Sequence, residues 1–322
     1  RLSDMGATLV ANQIVGNLRA RLYSEHYKRR YPEYRHQAIT KPIFIVGLPR
    51  SGTTALHKLL SADPANQGLE YWLGQTPMPR PPQSEWQDYP EFIQCADTLA
   101  MVGQLAPEMM AIHEMAANEA DECRLLLMQS FANVSFQAGA TVPEYEAWLY
   151  KADFAPVYRR YRENLQLVGL DNSARWVMKD PSHLWAPQTL LETFPDACIV
   201  QLHRHPRELL PSVASLVYNA SKMYEPDVEK SVVGRRELWQ WARVLNNLAQ
   251  LRRARPALPV YDLAMADLQR DPLAAVRGIY QHFDIPLEER SRSAMQDWVA
   301  KRAAGAKPAH RCTLAEFGLS ET

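Results

Sequence analysis

Residues 42–56 read Pro42-Ile43-Phe44-Ile45-Val46-Gly47-Leu48-Pro49-Arg50-Ser51-Gly52-Thr53-Thr54-Ala55-Leu56. The run from Ile43 to Val46 is continuously apolar, the pattern of a central parallel strand covered on both faces. Gly47 and Gly52 bracket a loop whose backbone can approach a ligand closely. Thr53 and Thr54 open a helix predicted to run through Leu60 and to stop at Asp63-Pro64. A helix N-terminus behind such a loop offers free N–H groups and the positive end of the helix dipole to an anion.

The loop satisfies half of a Walker A pattern. Gly47 and Gly52 have the G-x-x-x-x-G spacing and Thr54 can serve as the hydroxyl residue, but Thr53 fills the lysine slot. The cation lies inside the loop instead, as Arg50. A strand-to-helix turn carrying a surface arginine would also produce a bare G-x-x-x-x-G, so the rest of the chain has to decide.

The chain has 322 residues, 47% of them hydrophobic, enough for one large core, and no internal stretch reads as a linker. A single domain over 1–322 is expected. Lys plus Arg equals Asp plus Glu, for a formal net charge of +0. That removes the bulk electrostatic case for a nucleic-acid or anionic-membrane partner and makes any basic site local. The four cysteines (Cys95, Cys123, Cys198 and Cys312) contain no C-x-x-C pair. They read as thiols in a reducing compartment, not a disulfide framework or zinc site. No apolar stretch approaches the length of a membrane span and no signal peptide is visible, so a cytoplasmic protein is the expectation.

Downstream the α/β pattern continues. Residues 1–36 read as a helix packed outside the core. Residues 71–90, with Trp72, Trp86, Tyr89 and several prolines, read as an irregular segment that could wall an acceptor pocket for an apolar or ring-bearing substrate. Residues 91–168 read as a helical insertion, in which Asp121-Glu122-Cys123-Arg124 is taken as a solvated helix face or local ion pairs. Further strands are predicted at Arg175–Lys179, Ala197–His203 and Pro259–Leu263. Helices are predicted between and after them, at about 208–220, 231–255, 272–283 and 287–299. Strands alternating with helices imply a parallel sheet covered on both faces, with ligands at the carboxyl ends of its strands. Arg50, Lys179 and Arg204 all fall there.

The string Pro49-Arg50-Ser51-Gly52-Thr53-Thr54 resembles the phosphosulfate-binding loop of sulfotransferases that use 3′-phosphoadenosine 5′-phosphosulfate (PAPS), where lysine or arginine is usual at the Arg50 position. Leu202-His203-Arg204-His205-Pro206-Arg207 through Ser212 is similar to the same family's 3′-phosphate motif, an arginine at a strand end followed eight residues later by a serine. Met178-Lys179-Asp180-Pro181 resembles its Lys-Asp-Pro segment, whose lysine binds the transferring sulfuryl group. Lys307, His310 and Arg311 resemble the basic closing segment of the bacterial branch. Ala55 departs from that branch, which often has tryptophan there, and the glycine- and tryptophan-bearing basic motif of the animal cytosolic enzymes is absent. The resemblance spans most of residues 42–319.

What the resemblance implies is a P-loop-NTPase-like three-layer α/β sandwich with a central parallel sheet and a helical insertion. It also implies transfer of a sulfuryl group from PAPS, leaving 3′-phosphoadenosine 5′-phosphate (PAP), to the hydroxyl of a small-molecule or lipid acceptor. The donor would be held by Arg50, Ser51, Gly52, Thr53, Thr54, Arg204, Ser212, His310 and Arg311. A sulfuryl group carries less negative charge than a phosphoryl group, so Lys179, Arg50 and backbone N–H groups can stabilise it with no metal required. The base stays open among Glu70, which lies where related sulfotransferases carry a catalytic glutamate, His183, and His113. Trp72 and His113 are the substrate-binding candidates. A nucleotide-dependent P-loop kinase would need a loop lysine and a magnesium carboxylate; a non-catalytic nucleotide-binding module is the third reading.

Overall fold

The computed structural model describes residues 2–105, 115–303 and 312–320. Its centre is a five-stranded sheet made of β1 (Ile43–Val46), β2 (Asn66–Gln67), β3 (Arg175–Lys179), β4 (Cys198–His203) and β5 (Val260–Ala264). The strands lie in the order β2-β3-β1-β4-β5 and every pairing is parallel. β1 is central: Ile43 stands opposite Val177 on one side and Cys198 on the other. All four of its side chains are buried, as the unbroken apolar run predicted.

Because strand side chains alternate, the sheet divides two cores. Phe44, Val46, Met178 and Ile199 face one of them. There they meet α8 (Ala155–Val168), α9 (Pro187–Thr193), α10 (Pro206–Tyr224) and α11 (Lys230–Ala254). Ile43, Ile45, Val177 and Val200 face the other, against α2 (Thr53–Ser61), α12 (Met265–Arg270), α13 (Pro272–His282) and α14 (Glu289–Ala303). The result is the expected three-layer α/β arrangement. The outer helix α1 (Asp4–Arg30) begins at an N-cap, Ser3, whose hydroxyl accepts from the Gly6 N–H.

Two elements differ from the expectation. β2 was not predicted: two polar residues carry no strand pattern, and Asn66 and Gln67 are strand only because they pair with Arg175 and Trp176. The stretch after it is also more broken than one helical insertion. It contains α3 (Tyr71–Gln75), α4 (Pro90–Leu105), α5 (Arg124–Met128), α6 (Ser135–Gly139) and α7 (Pro143–Leu149). Among the described residues no helix is long and apolar enough to cross a membrane, and Cys95, Cys123, Cys198 and Cys312 are free.

Trp72 requires a correction. It was expected to line an acceptor pocket, but its side chain is wholly buried. Its ring packs 5.8 Å from Trp86, 6.0 Å from Tyr89 and 5.6 Å from Phe92. The aromatic residues of 71–92 face one another, because burying their large apolar surface in the core is worth more than displaying it to water.

Candidate active site

The loop after β1 turns through two glycines and one strained arginine. Gly47 has φ of +153°, and a Cβ there would stand 3.0 Å from the Leu202 carbonyl oxygen and 3.0 Å from Ser51 Oγ. Gly52, at φ of +94°, is the N-cap of α2. Ser51 is buried and its hydroxyl donates to the Leu48 carbonyl at 2.7 Å, which closes the turn from inside. The first N–H groups of α2 then lack intrahelical partners by the geometry of any helix start. Arg50 lies in the left-handed region at φ of 69°, a conformation that favours glycine.

That strain is held by partners from the next strand. Arg204, just beyond β4, donates from Nη1 to the Arg50 carbonyl at 3.0 Å. Arg50 Nε donates to Ser212 Oγ, on α10, at 3.2 Å. The three residues singled out from two separate motifs are therefore joined in space. Burial first, and then the nearby charge of Arg204, lower the Arg50 pKa. Two guanidinium groups packed this way repel each other, and an anion between them relieves the repulsion.

Lys179 closes the other side of the loop. It ends β3, one strand over from β1, and is almost entirely buried. Its ammonium donates to Thr54 Oγ1 at 3.2 Å, at the first turn of α2. The cation that a Walker A loop would place at position 53 is thus supplied from the neighbouring strand end. Lys179 also donates to Glu122 Oε1 at 2.6 Å, and the other carboxylate oxygen of Glu122 lies 3.1 Å from Arg124 Nε.

Glu122 is the residue that sequence reasoning missed. The sequence suggests a solvated helix face or local ion pairs; the local pair with Arg124 is present, but Glu122 belongs to an extended crossing before α5 and not to a helix face. Ala120 bridges antiparallel to Glu70, the Asp121 N–H donates to the Leu69 carbonyl, and the Cys123 N–H donates to the Lys179 carbonyl at 3.3 Å. These bonds lay the segment across the strand ends and point Glu122 at Lys179. Asp180 is buried behind the pair. Burial, and then the charge of Glu122, push its carboxyl well above the usual carboxylate range.

The other base candidates lie elsewhere. Glu70 pairs with Arg80, Oε2 to Nε at 3.0 Å; burial raises its pKa against the pull of Arg80. His183 requires a correction: it is wholly buried, with Nδ1 2.8 Å from the Tyr158 hydroxyl and Nε2 3.3 Å from Cys123 Sγ. Burial lowers its pKa to about 3. Both ring nitrogens are occupied and no surface reaches solvent, so in this arrangement the ring cannot meet an acceptor hydroxyl. His113, Lys307, His310 and Arg311 lie outside the described residues. Among the described residues no group of three or more His, Cys, Asp or Glu side chains is arranged to hold a metal ion.

Comparison with known proteins identifies the family. The model of the sulfotransferase family matches residues 42–289. The omega-hydroxy-beta-dihydromenaquinone-9 sulfotransferase Stf3 of Mycobacterium bovis is 25% identical over 255 residues, 76% of this chain and 63% of that protein. The protein of the same name from Mycobacterium tuberculosis gives the same figures. The chain thus spans less than two thirds of the curated relatives it matches. Sulfotransferase STF1 from Mycobacterium tuberculosis H37Rv superposes with a TM-score of 0.90 at 38% identity, covering 99% of this chain and 84% of that one. Sulfotransferase STF9 from Mycobacterium avium shares the fold, with a TM-score of 0.90 at 24% identity over 99% of this chain and 83% of that one. The family match takes in β1, the arginine loop, Lys179, Arg204 and Ser212 together, and the chain belongs to the sulfotransferase family.

Proposed function

We propose that this protein transfers a sulfuryl group from PAPS to the hydroxyl of an apolar, lipid-class acceptor. The observation that carries the reading is the join of Arg50, Arg204 and Ser212 across the loop, β4 and α10, with Lys179 at Thr54 on the far side. The residues fit a donor with two anionic ends. Arg204, Ser212 and Arg50 suit a 3′-phosphate and its neighbourhood; the first turn of α2, with Ser51, Gly52, Thr53 and Thr54, suits a 5′-phosphosulfate. The donor supplies the sulfuryl group and leaves as PAP.

On the side of the chain, Lys179 and Arg50 neutralise charge on the transferring and leaving oxygens without moving. Glu122 is the base in this reading. Its ion pair with Lys179 requires an ionised carboxylate, the form that accepts a proton. As the acceptor oxygen bonds to sulfur, its hydroxyl proton passes to Glu122, while the bond between sulfur and the leaving phosphate oxygen breaks and its electron pair goes to PAP. Glu70, held by Arg80, serves in this reading to fix the segment that carries Glu122. The domain is single over 1–322.

The acceptor class rests on two supports. The Stf3 relatives are named for a hydroxylated dihydromenaquinone, an apolar isoprenoid quinol, and this chain shares 25% of their residues over the matched region. A panel of hydroxyl acceptors incubated with labelled donor tests the reading. Label is expected in hydroxylated isoprenoids and long-chain alcohols and not in sugars or amines. Label confined to sugars or amines overturns the acceptor class; no label in any acceptor, with no PAP binding, overturns the activity.

A further inference from the structure

The outer helix α1 is attached to the core through a largely polar side. The side it turns to the core carries Asn17, Ala20, Ser24 and Lys28, all buried. Ser24 bonds Gln129 at 3.0 Å and Lys28 bonds Glu163 at 2.8 Å. The opposite side carries Ala11, Val15, Leu18 and Leu22, at steps of four, three and four, which places them in one stripe. Val15 is 62% exposed, Leu18 45% and Leu22 70%. A helix attached through its polar side leaves its apolar side for another apolar phase.

A second, separate pair of exposed apolar residues lies on α4. Tyr23, next to Leu22, donates its hydroxyl to Glu91 in the first turn of α4 at 3.4 Å. On α4, Ile93 and Met101 are also exposed, at 41% and 54%. Asp97, one turn from each, is exposed between them, so the apolar display that carries the argument is that of α1.

The charges beside the stripe indicate what it meets. Arg19, Arg21, Arg29 and Arg30 are exposed on α1, against Asp4 and against Glu25, whose carboxylate pairs with Arg160 of α8. The whole chain is formally neutral, so this is a local excess of positive charge. Arginines flanking an apolar stripe suit a lipid–water boundary, where the stems lie along the apolar phase and the guanidinium groups reach the headgroups. A two-fold pairing of α1 about Leu18 would instead press Arg19 and Arg21 of one copy against those of the other.

We propose that the outer face of α1 docks this protein on the surface of an anionic lipid bilayer. The inference does not depend on the acceptor, since it concerns a surface that none of the residues of the active site forms.

The test is sedimentation of the protein with phosphatidylcholine vesicles, with and without phosphatidylglycerol and at low and high salt. Vesicle binding is expected for the phosphatidylglycerol mixture and is expected to weaken with salt. The double variant Leu18→Glu, Leu22→Glu should bind roughly tenfold more weakly or worse, because two leucines no longer enter the apolar phase. Arg19→Glu with Arg21→Glu should lose the preference for phosphatidylglycerol. All four positions are exposed, so thermal unfolding of the variants and PAP binding should match the wild type, and that control separates lost docking from lost fold or lost activity. The proposal is overturned if the wild type leaves both vesicle types in the supernatant, or if the leucine variant binds vesicles as the wild type does. It is equally overturned by a wild-type dimer in sedimentation equilibrium that the leucine variant dissociates with no vesicle binding by either.

Discussion

The ammonium of Lys179 lies 2.6 Å from the carboxylate of Glu122. One comes from the end of β3 and the other from a segment more than fifty positions earlier, and their side chains are 2% and 18% exposed. A pair this sheltered is expensive to break from one side. Truncating one partner of a buried pair costs about 3–5 kcal/mol, because the other charge is stranded.

The two halves of the pair should therefore fail differently. Glu122→Gln keeps a hydrogen-bond acceptor for Lys179 and removes the proposed base. Turnover should fall by roughly 10²–10⁴-fold, with PAP affinity retained. Lys179→Ala should lower turnover and also depress the unfolding midpoint. Steady-state kinetics with calorimetric PAP titration distinguishes them, and wild-type turnover in Glu122→Gln would remove Glu122 from the role of base.

The join between Arg50 and Ser212 makes a graded prediction. Arg50→Ala deletes a charged donor and should weaken PAP binding by about 1.5–3 kcal/mol per lost charge-assisted bond. Ser212→Ala deletes a neutral hydroxyl and should cost about 0.5–1.5 kcal/mol. The ordering is the content of the prediction: equal losses in the two variants would contradict the geometry in which Arg50 meets the ligand and Ser212 supports it.

Trp72 should report on stability and leave catalysis alone. Removing a wholly buried tryptophan from the cluster with Trp86, Tyr89 and Phe92 should cost about 3–5 kcal/mol in denaturant unfolding. Where Trp72→Ala remains folded, the Michaelis constant for the acceptor should be close to that of the wild type. An unchanged unfolding midpoint with a raised Michaelis constant would return Trp72 to the pocket wall.

Two buried histidines set the acid limit of the fold. His57 is held at a pKa of about 4, by burial first and then by the charge of Lys179; His183 is held at about 3 by burial. Both start from 6.5 in the unfolded chain. Below that value the unfolded chain takes up these protons and the folded chain does not. Stability is thus full above pH ~6.5 and is lost as pH falls toward ~4, by about 1.4 kcal/mol per pH unit for each histidine. Asp180, whose carboxyl is raised, works in the opposite direction. His57→Gln can still donate to the Val177 carbonyl, which His57 Nε2 meets at 3.1 Å. Denaturant unfolding across this pH range should show its slope reduced by one proton. A slope equal to that of the wild type would mean that His57 is not the group titrating.

Much of the candidate site could be read in the sequence because its parts sit at strand ends with local signatures. The loop announces itself by Gly47, Arg50 and Gly52. Arg204 and Ser212 are eight positions apart on a strand-to-helix turn, and Lys179 ends an apolar run. Glu122 has no such signature: its neighbours look like a charged helix face, and only the tertiary bonds from Asp121 to Leu69 and from Cys123 to Lys179 turn it inward. β2 was missed for the same reason, since two polar residues become a strand only when β3 lies beside them. Trp72 and His183 show the converse. A tryptophan or histidine near a site has the chemistry for binding or proton transfer, but sequence does not say whether its surface faces the ligand or the core.

The central claim is that Arg50, Lys179, Arg204 and Ser212 form a site for a 3′-phosphorylated adenine nucleotide. Calorimetric titration of the protein with PAP, and in parallel with ATP plus magnesium, tests it most directly. The account predicts saturable binding of PAP, weakened roughly ten- to a hundredfold by Arg204→Ala, and no comparable binding of ATP with magnesium. Failure of PAP to bind, or binding of ATP with magnesium as tight as that of PAP, would contradict it.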